Sequence, residues 1–259
     1  MAQVRAMVEE GADGIDVGGE STRPQGASPV SAEQELHRVM PVVSAIRDAF
    51  PDVLLSIDTT KAEVASAALA AGGDVVNDVS GFRIDPRVGE IAAARRAGVV
   101  LMHSRGGVAE MGTYRNAEYG TDVVGEVIAE LTEAVRRAIA TGVAREAIVI
   151  DPGIGFAKRS EHSLRVLAEL DRVCALGFPV MVGVSRKRFV GELSSVHTAA
   201  DRIAGTVGAN VAALMSGARL FRVHDVAPNR QALDVVWGIL QAGGDKSGPD
   251  SRFPIPDSP

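Results

Sequence analysis

The sequence predicts an α/β fold, a (β/α)8 barrel of the TIM type with seven of its eight strands visible. Three observations predict it. Seven strand-like runs are each followed by a helix-like run: GIDVGGES (14–21), VLLSIDTT (53–60), DVVNDVSG (74–81), GVVLMHSR (98–105), AIVIDPGIGF (147–156), PVMVGVSRKR (179–188) and RLFRVHDV (219–226). Alternation of this kind builds parallel βαβ units. The runs are apolar throughout, as in LLSI, VVLM, IVI and VMVGV, which is how strands covered on both faces read. Every run also ends in polar residues. An open sheet gathers its site at one switch point, whereas a barrel sets every strand's C-terminal end around one mouth. The residues at those ends are Asp58, Asn77, Asp78, His103, Asp151, Lys187, Arg222, His224 and Asp225, and a barrel has them converge on one site.

The chain opens on a helix where a strand would be regular. Residues 2–10 put Val4, Met7 and Val8 on one side, and Gly11 closes the segment. Helices are then expected near 31–49, 61–71, 86–97, 120–141, 160–176, 197–217 and 228–241, one after each strand. Ser31 stands three residues before Gln34, the spacing of a capping box. Glu161 beside Ser160 suits a helix N-terminus. Gly72, Gly98, Gly142 and Gly177 punctuate the helix ends before the next strand. In the last two helices Val211, Leu214, Val235, Val236, Trp237 and Leu240 are more apolar residues than one inward stripe requires, and a homodimer would bury the excess. The chain divides into one barrel over 1–241 and a disordered tail over 242–259, rich in Gly, Pro, Ser and Asp.

At 259 residues the chain fits two average domains or one barrel, since barrels run to about 250. A net charge of -6 and a pI near 5.4 argue against a general nucleic-acid binder. The single cysteine, Cys174, permits no disulfide within the chain and reads as inert core in a cytoplasmic protein. No apolar run reaches the ~18 residues of a membrane span, and MAQVRAMVEEGADG has no signal-peptide layout.

Three sets of residues carry candidate chemistry. The loop STRPQGASP (21–29) holds a hydroxyl pair, an arginine and two prolines; it is either an ordinary βα loop or a clamp on an anion or substrate. Asp58 and Asp151 each end an apolar strand, where a carboxylate accepts two parallel N–H bonds, and Asn77 offers a donor and an acceptor. Together they suit a nitrogen-rich heterocycle such as a pterin or purine; taken singly, each could cap a helix. Lys187, Arg222 and His224 end the last two strands, where barrels often bind phosphate. Arg222 and His224 are two apart on a strand and should face the same way, with a surface basic cluster as the alternative. DPGIGF lacks the GxGxxG spacing, and His37, His103, His162, His197 and His224 have no zinc-site spacing.

With IDVGGESTRP, SIDT, VNDVSG, VLMH, DPGIGF, SRK and RVHD in this order, residues 1–241 resemble the dihydropteroate synthases. The resemblance implies a barrel that is usually a homodimer. It implies condensation of 6-hydroxymethyl-7,8-dihydropterin diphosphate with p-aminobenzoate, with Mg²⁺ and loss of diphosphate. Motif by motif, it puts Asp58, Asn77, Asp151 and Lys187 on the pterin, and Thr22, Arg222 and His224 on the diphosphate. Arg23, Pro24 and Phe156 fall on the p-aminobenzoate side, and Lys187, Arg222 and His224 are the implied catalytic groups.

Two features depart from the family pattern. A first-strand motif like NVTPDSFSDGG, which supplies an Asn metal ligand, does not occur in these residues, so the metal ligands stay unknown. Without that strand, a marginally stable barrel with little activity is the expectation. Gln25 also intervenes where the family runs STRPGA. The rival readings are another pterin-binding barrel, such as a methyltetrahydrofolate–corrinoid methyltransferase, and a non-catalytic paralogue.

Overall fold

A computed structural model describes residues 1–21 and 30–243. Five parallel strands form one sheet in chain order: β1 (Gly14–Gly18), β2 (Leu54–Asp58), β3 (Val75–Asp78), β4 (Gly98–Met102) and β5 (Ile148–Asp151). A parallel pair, β6 (Met181–Val182) and β7 (Leu220–Phe221), continues it through a single bridge from Ile150 to Val180. Strands that are parallel and neighbour each other in sequence order roll the sheet one way and put their C-terminal ends on one side. Among the described residues no ladder joins β7 back to β1.

The helices are α1 (Ala2–Glu9), α2 (Ala32–Ala49), α3 (Ala62–Ala70), α4 (Arg87–Arg95), α5 (Val108–Met111) and α6 (Val123–Ala140), followed by α7 (Ser160–Ala168), α8 (Leu170–Cys174), α9 (Arg188–Ser194), α10 (Ile203–Met215) and α11 (Val226–Ala242). The capping box of α2 is formed: Ser31 Oγ accepts from the Gln34 amide at 3.2 Å, and Gln34 Oε1 from the Ser31 amide at 3.1 Å. Gly11, Gly72, Gly142 and Gly177 all have positive φ where helices end. Gly98 does not; it opens β4, and Arg96, with φ of 54°, takes the left-handed turn after α4. The helix expected over 160–176 breaks at Glu169 into α7 and α8, and the one over 197–217 starts only at Ile203. Two short helices, α5 and α9, lie outside the stretches expected to be helical.

The outward faces of the strands pack under the helices. Val76, Val99, Leu101, Ile148, Ile150 and Val182 join residues of α3, α4 and α6 in the main core. Ile15, Leu55 and Ile57 join Val4 of α1 and Val39, Val43 and Ile46 of α2 in a second. Alternation along a strand then turns Asp16 and Asp58 to the opposite face. Cys174 is half-buried rather than fully enclosed, and burial pushes its thiol up to about 11. No helix among the described residues is long and apolar enough to cross a membrane.

Candidate active site

β1, β2 and β3 bring their C-terminal residues side by side, Gly18 against Asp58 and Asp58 against Asn77. A Cβ at Gly18 would stand 3.1 Å from the Cβ of Asp58, so glycine leaves that carboxylate its room. Asp16 Oδ2 accepts from Asn77 Nδ2 at 3.1 Å and from Arg222 Nε at 2.6 Å. Arg222 Nη2 reaches on to Asp58 Oδ2 at 3.2 Å. An ionised carboxylate can only accept, so Asp16 fixes the Asn77 amide with its nitrogen toward β1. Asn77 Oδ1 and Asp16 Oδ1 are buried with no hydrogen-bond partner. Burial, then Asp16, push Asp58 up to about 7 against the pull of Arg222.

Asp151 ends β5, buried, and its Oδ1 accepts from the Gly153 amide at 2.7 Å. Burial raises its carboxyl above the usual range, and Lys187 opposes the rise. Lys187 donates to the Ile154 carbonyl, and its Nζ lies 4.6 Å from the centre of the Phe156 ring. Burial lowers the Lys187 ammonium to about 8, with Asp151 opposing. The backbone at Lys187 is held from outside the mouth. Arg202 Nη1 donates to the Arg186 and Lys187 carbonyls at 3.0 and 3.3 Å, and Arg186 pairs with Asp225. Past the end of β7, the Arg222 amide still donates to Val182 O at 3.0 Å.

The His224 amide donates to Ser185 Oγ at 3.1 Å, and its Nδ1 lies 2.9 Å from the same oxygen. The ladder ends at Phe221, so 222–224 lie beyond the strand; there Arg222 reaches Asp16 and Asp58, and His224 reaches Ser185.

The profile of the pterin binding enzyme family matches residues 1–224. The chain belongs to that family. It is 42% identical over 238 residues to a dihydropteroate synthase of Synechocystis, spanning 91% of this chain and 81% of the relative. It is 41% identical over 239 residues to a Mycobacterium tuberculosis protein named inactive dihydropteroate synthase 2, spanning 91% and 74%. Among solved structures, a Xanthomonas albilineans dihydropteroate synthase with 4-aminobenzoic acid superposes with a TM-score of 0.85 at 43% identity, covering 93% of this chain and 84% of that one.

In this pterin-binding enzyme the mouth gathers Asp58, Asn77, Arg222, Asp151, Lys187 and Phe156, but not every polar strand end. Asp78 is buried, pushed up to about 6 by that burial, and spends Oδ1 on the Ser80 amide and hydroxyl at 2.7 Å each. His103 is buried against Lys158, and Asp225 serves Arg186. Thr22, Arg23, Pro24 and Gln25 lie outside the described residues, as does the tail from 244. The flanks of that loop are tied: Glu20 Oε1 accepts from the Val30 amide at 2.7 Å, and Lys61 Nζ bridges Glu20 and buried Glu35 at 2.7 and 2.6 Å. Asp16 and Lys158 were not singled out in the sequence. The available signal for Asp16 was a carboxylate within an apolar strand run, two residues before its end.

Proposed function

We propose that the chain condenses 6-hydroxymethyl-7,8-dihydropterin diphosphate with p-aminobenzoate, giving 7,8-dihydropteroate and diphosphate. The observation that carries this reading is a set of acceptors beside two cations at one mouth, in a chain of this family: Asp58, Asn77 Oδ1 and Asp151 with Lys187 and Arg222. A pterin edge presents ring and amino N–H groups, which carboxylates accept in parallel pairs. The C–O bond to the diphosphate breaks first, with Arg222 and His224 balancing the charge that leaves. The aniline nitrogen then forms the C–N bond to the pterin methylene and gives up a proton. No nucleophilic side chain is required. Thr22 joins the diphosphate side in this reading, and Arg23, Pro24 and Phe156 the p-aminobenzoate side.

Three further parts belong to the proposal. Among the described residues no three His, Cys, Asp or Glu side chains form a metal cage. Mg²⁺ held chiefly by substrate phosphates needs only one or two carboxylates, and Asp16 Oδ1 is a buried oxygen without a partner. There the ion would offset phosphate charge. A homodimer across α10 and α11 would cover Met215, Val235, Ile239 and Leu240, which are exposed. A cytoplasmic site fits the use of one unpaired cysteine.

The second reading is a non-catalytic pterin binder, favoured by the relative named inactive at 41% identity. Incubating the purified chain with both substrates and following dihydropteroate and diphosphate separates the two. Formation of both products in equal amounts supports the first reading. Arg222→Ala should weaken the diphosphate substrate about tenfold more than the bare pterin alcohol, because only the former carries the anion. Tight pterin binding without product would establish the second reading.

A further inference from the structure

Lys158 is 1% exposed and takes no part in the chemistry above. A buried amine is costly unless its N–H groups are all taken up. Here three acceptors surround it: His103 Nδ1 at 2.7 Å, Gly153 O at 3.2 Å and Phe156 O at 3.2 Å. Burial lowers its pKa well below that of an ordinary lysine, and Asp151 opposes the fall. Two of the acceptors belong to the turn over 152–157, which joins the Asp151 carboxylate to the Phe156 ring. The same turn offers Ile154 O to Lys187. It packs directly on His103: Gly153 has φ of 66°, and a Cβ there would fall 1.9 Å from the His103 carbonyl oxygen. The turn is also pinned by the Phe156 amide to Gly153 O at 3.0 Å and the Ala157 amide to Met111 O at 2.7 Å.

We propose that Lys158 is a positioning residue for both substrate sites, its Nζ gathering the 152–157 turn so that Asp151, Phe156 and the anchor of Lys187 share one reference point. His103 is its cap. In this assignment Lys158 donates to Nδ1, 2.7 Å away, which puts the imidazole proton on Nε2, 3.1 Å from Glu130 Oε2. Arg105 in turn pairs with Glu130 and Glu126, so the support continues to α6. Burial and the neighbouring Lys158 lower the His103 imidazole to about 4, in keeping with a neutral acceptor. His103, a polar strand end, therefore supports the turn from behind and does not touch substrate.

The idea that both substrates lie along this turn rests on the function proposed above, so the test has one arm that does not. In that arm, nitrogen NMR of the His103 ring at pH 7 should show Nδ1 unprotonated in the parent and a mixture of tautomers in Lys158→Met. Nδ1 protonated in the parent would overturn the proposal whatever the chain binds. In the second arm, Lys158→Met should raise the KM for p-aminobenzoate and weaken the bare pterin about tenfold or more per folded molecule, the size expected when buried hydrogen bonds are lost. Should that variant not fold, His103→Asn and His103→Leu carry the comparison. Asn keeps an acceptor near the place of Nδ1 and should bind close to the parent, whereas Leu should lose affinity for both substrates. Equal affinities across the parent, Asn and Leu proteins would overturn the positioning role. A parent with the stated tautomer that binds no pterin would instead count against the proposed function.

Discussion

Asp58 keeps its proton up to about pH 7, because burial and Asp16 both oppose its charge and Arg222 only partly offsets them. The ordinary carboxyl value is 3.8, so between these values the folded chain binds more protons than the unfolded one. Stability contributed by the protonated group is full below about pH 4 and is lost as pH rises through 7. Asp58→Asn should therefore raise the melting temperature at pH 8, by roughly 2–4 °C per kcal/mol relieved, and leave it unchanged at pH 4. The same change should weaken pterin binding about tenfold, since an acceptor becomes a donor. Thermal scans at both pH values with calorimetry check this; an equal shift at pH 4 and 8 would clear Asp58's charge of blame. The carboxylate was legible in the sequence because SID ends an apolar run, and so were Asn77, Asp151 and Lys187. Asp16 was harder to see, since its role depends on Asn77 and Arg222 from distant parts of the chain. Lys158 was hidden for a different reason: a lysine in a polar loop reads as solvated, and only the folded turn encloses it.

The strands are shorter than the runs that announced them because their polar ends peel away to build the mouth. This is most pronounced at β6, where Met181–Val182 alone are strand and Gly183 onward form the site loop. The helix α9 was masked by the charges of SRKR, although Phe189 and Val190 beneath it are buried. On α10 and α11 the apolar excess divides in two. Leu214 is core, 4% exposed, while Val235 at 58% and Ile239 at 64% face out one turn apart. A helix face of that kind is costly in water unless a second copy covers it. The parent should sediment as a dimer at micromolar concentration, and Val235→Glu combined with Ile239→Glu should give a monomer that still binds pterin. A parent that sediments as a monomer would refute the dimer.

At the scale of the whole molecule, strand order and the position of the mouth could be read from the sequence, because each βα unit repeats the same pattern. The side-chain contacts across the seam between β7 and β1 could not, because they join residues far apart in the chain. Arg222 reaches Asp16 across it, and beneath it α11 clasps the start of the chain: Arg230 donates to Gly11 O at 3.2 Å and pairs with Asp13 at 2.9 Å. Asp13 is 91% exposed, and such an ion pair contributes at most about 1 kcal/mol. Among the described residues, opening at the seam therefore breaks no backbone ladder, whereas opening β3 or β4 breaks one on each side. In deuterated water the amides of 14–18 and 220–222 should take up label well before those of 75–78 and 98–102, whose exchange should approach the free energy of global unfolding. Uniform protection around all seven strands would mean that the seam is as tightly held as the rest of the ring.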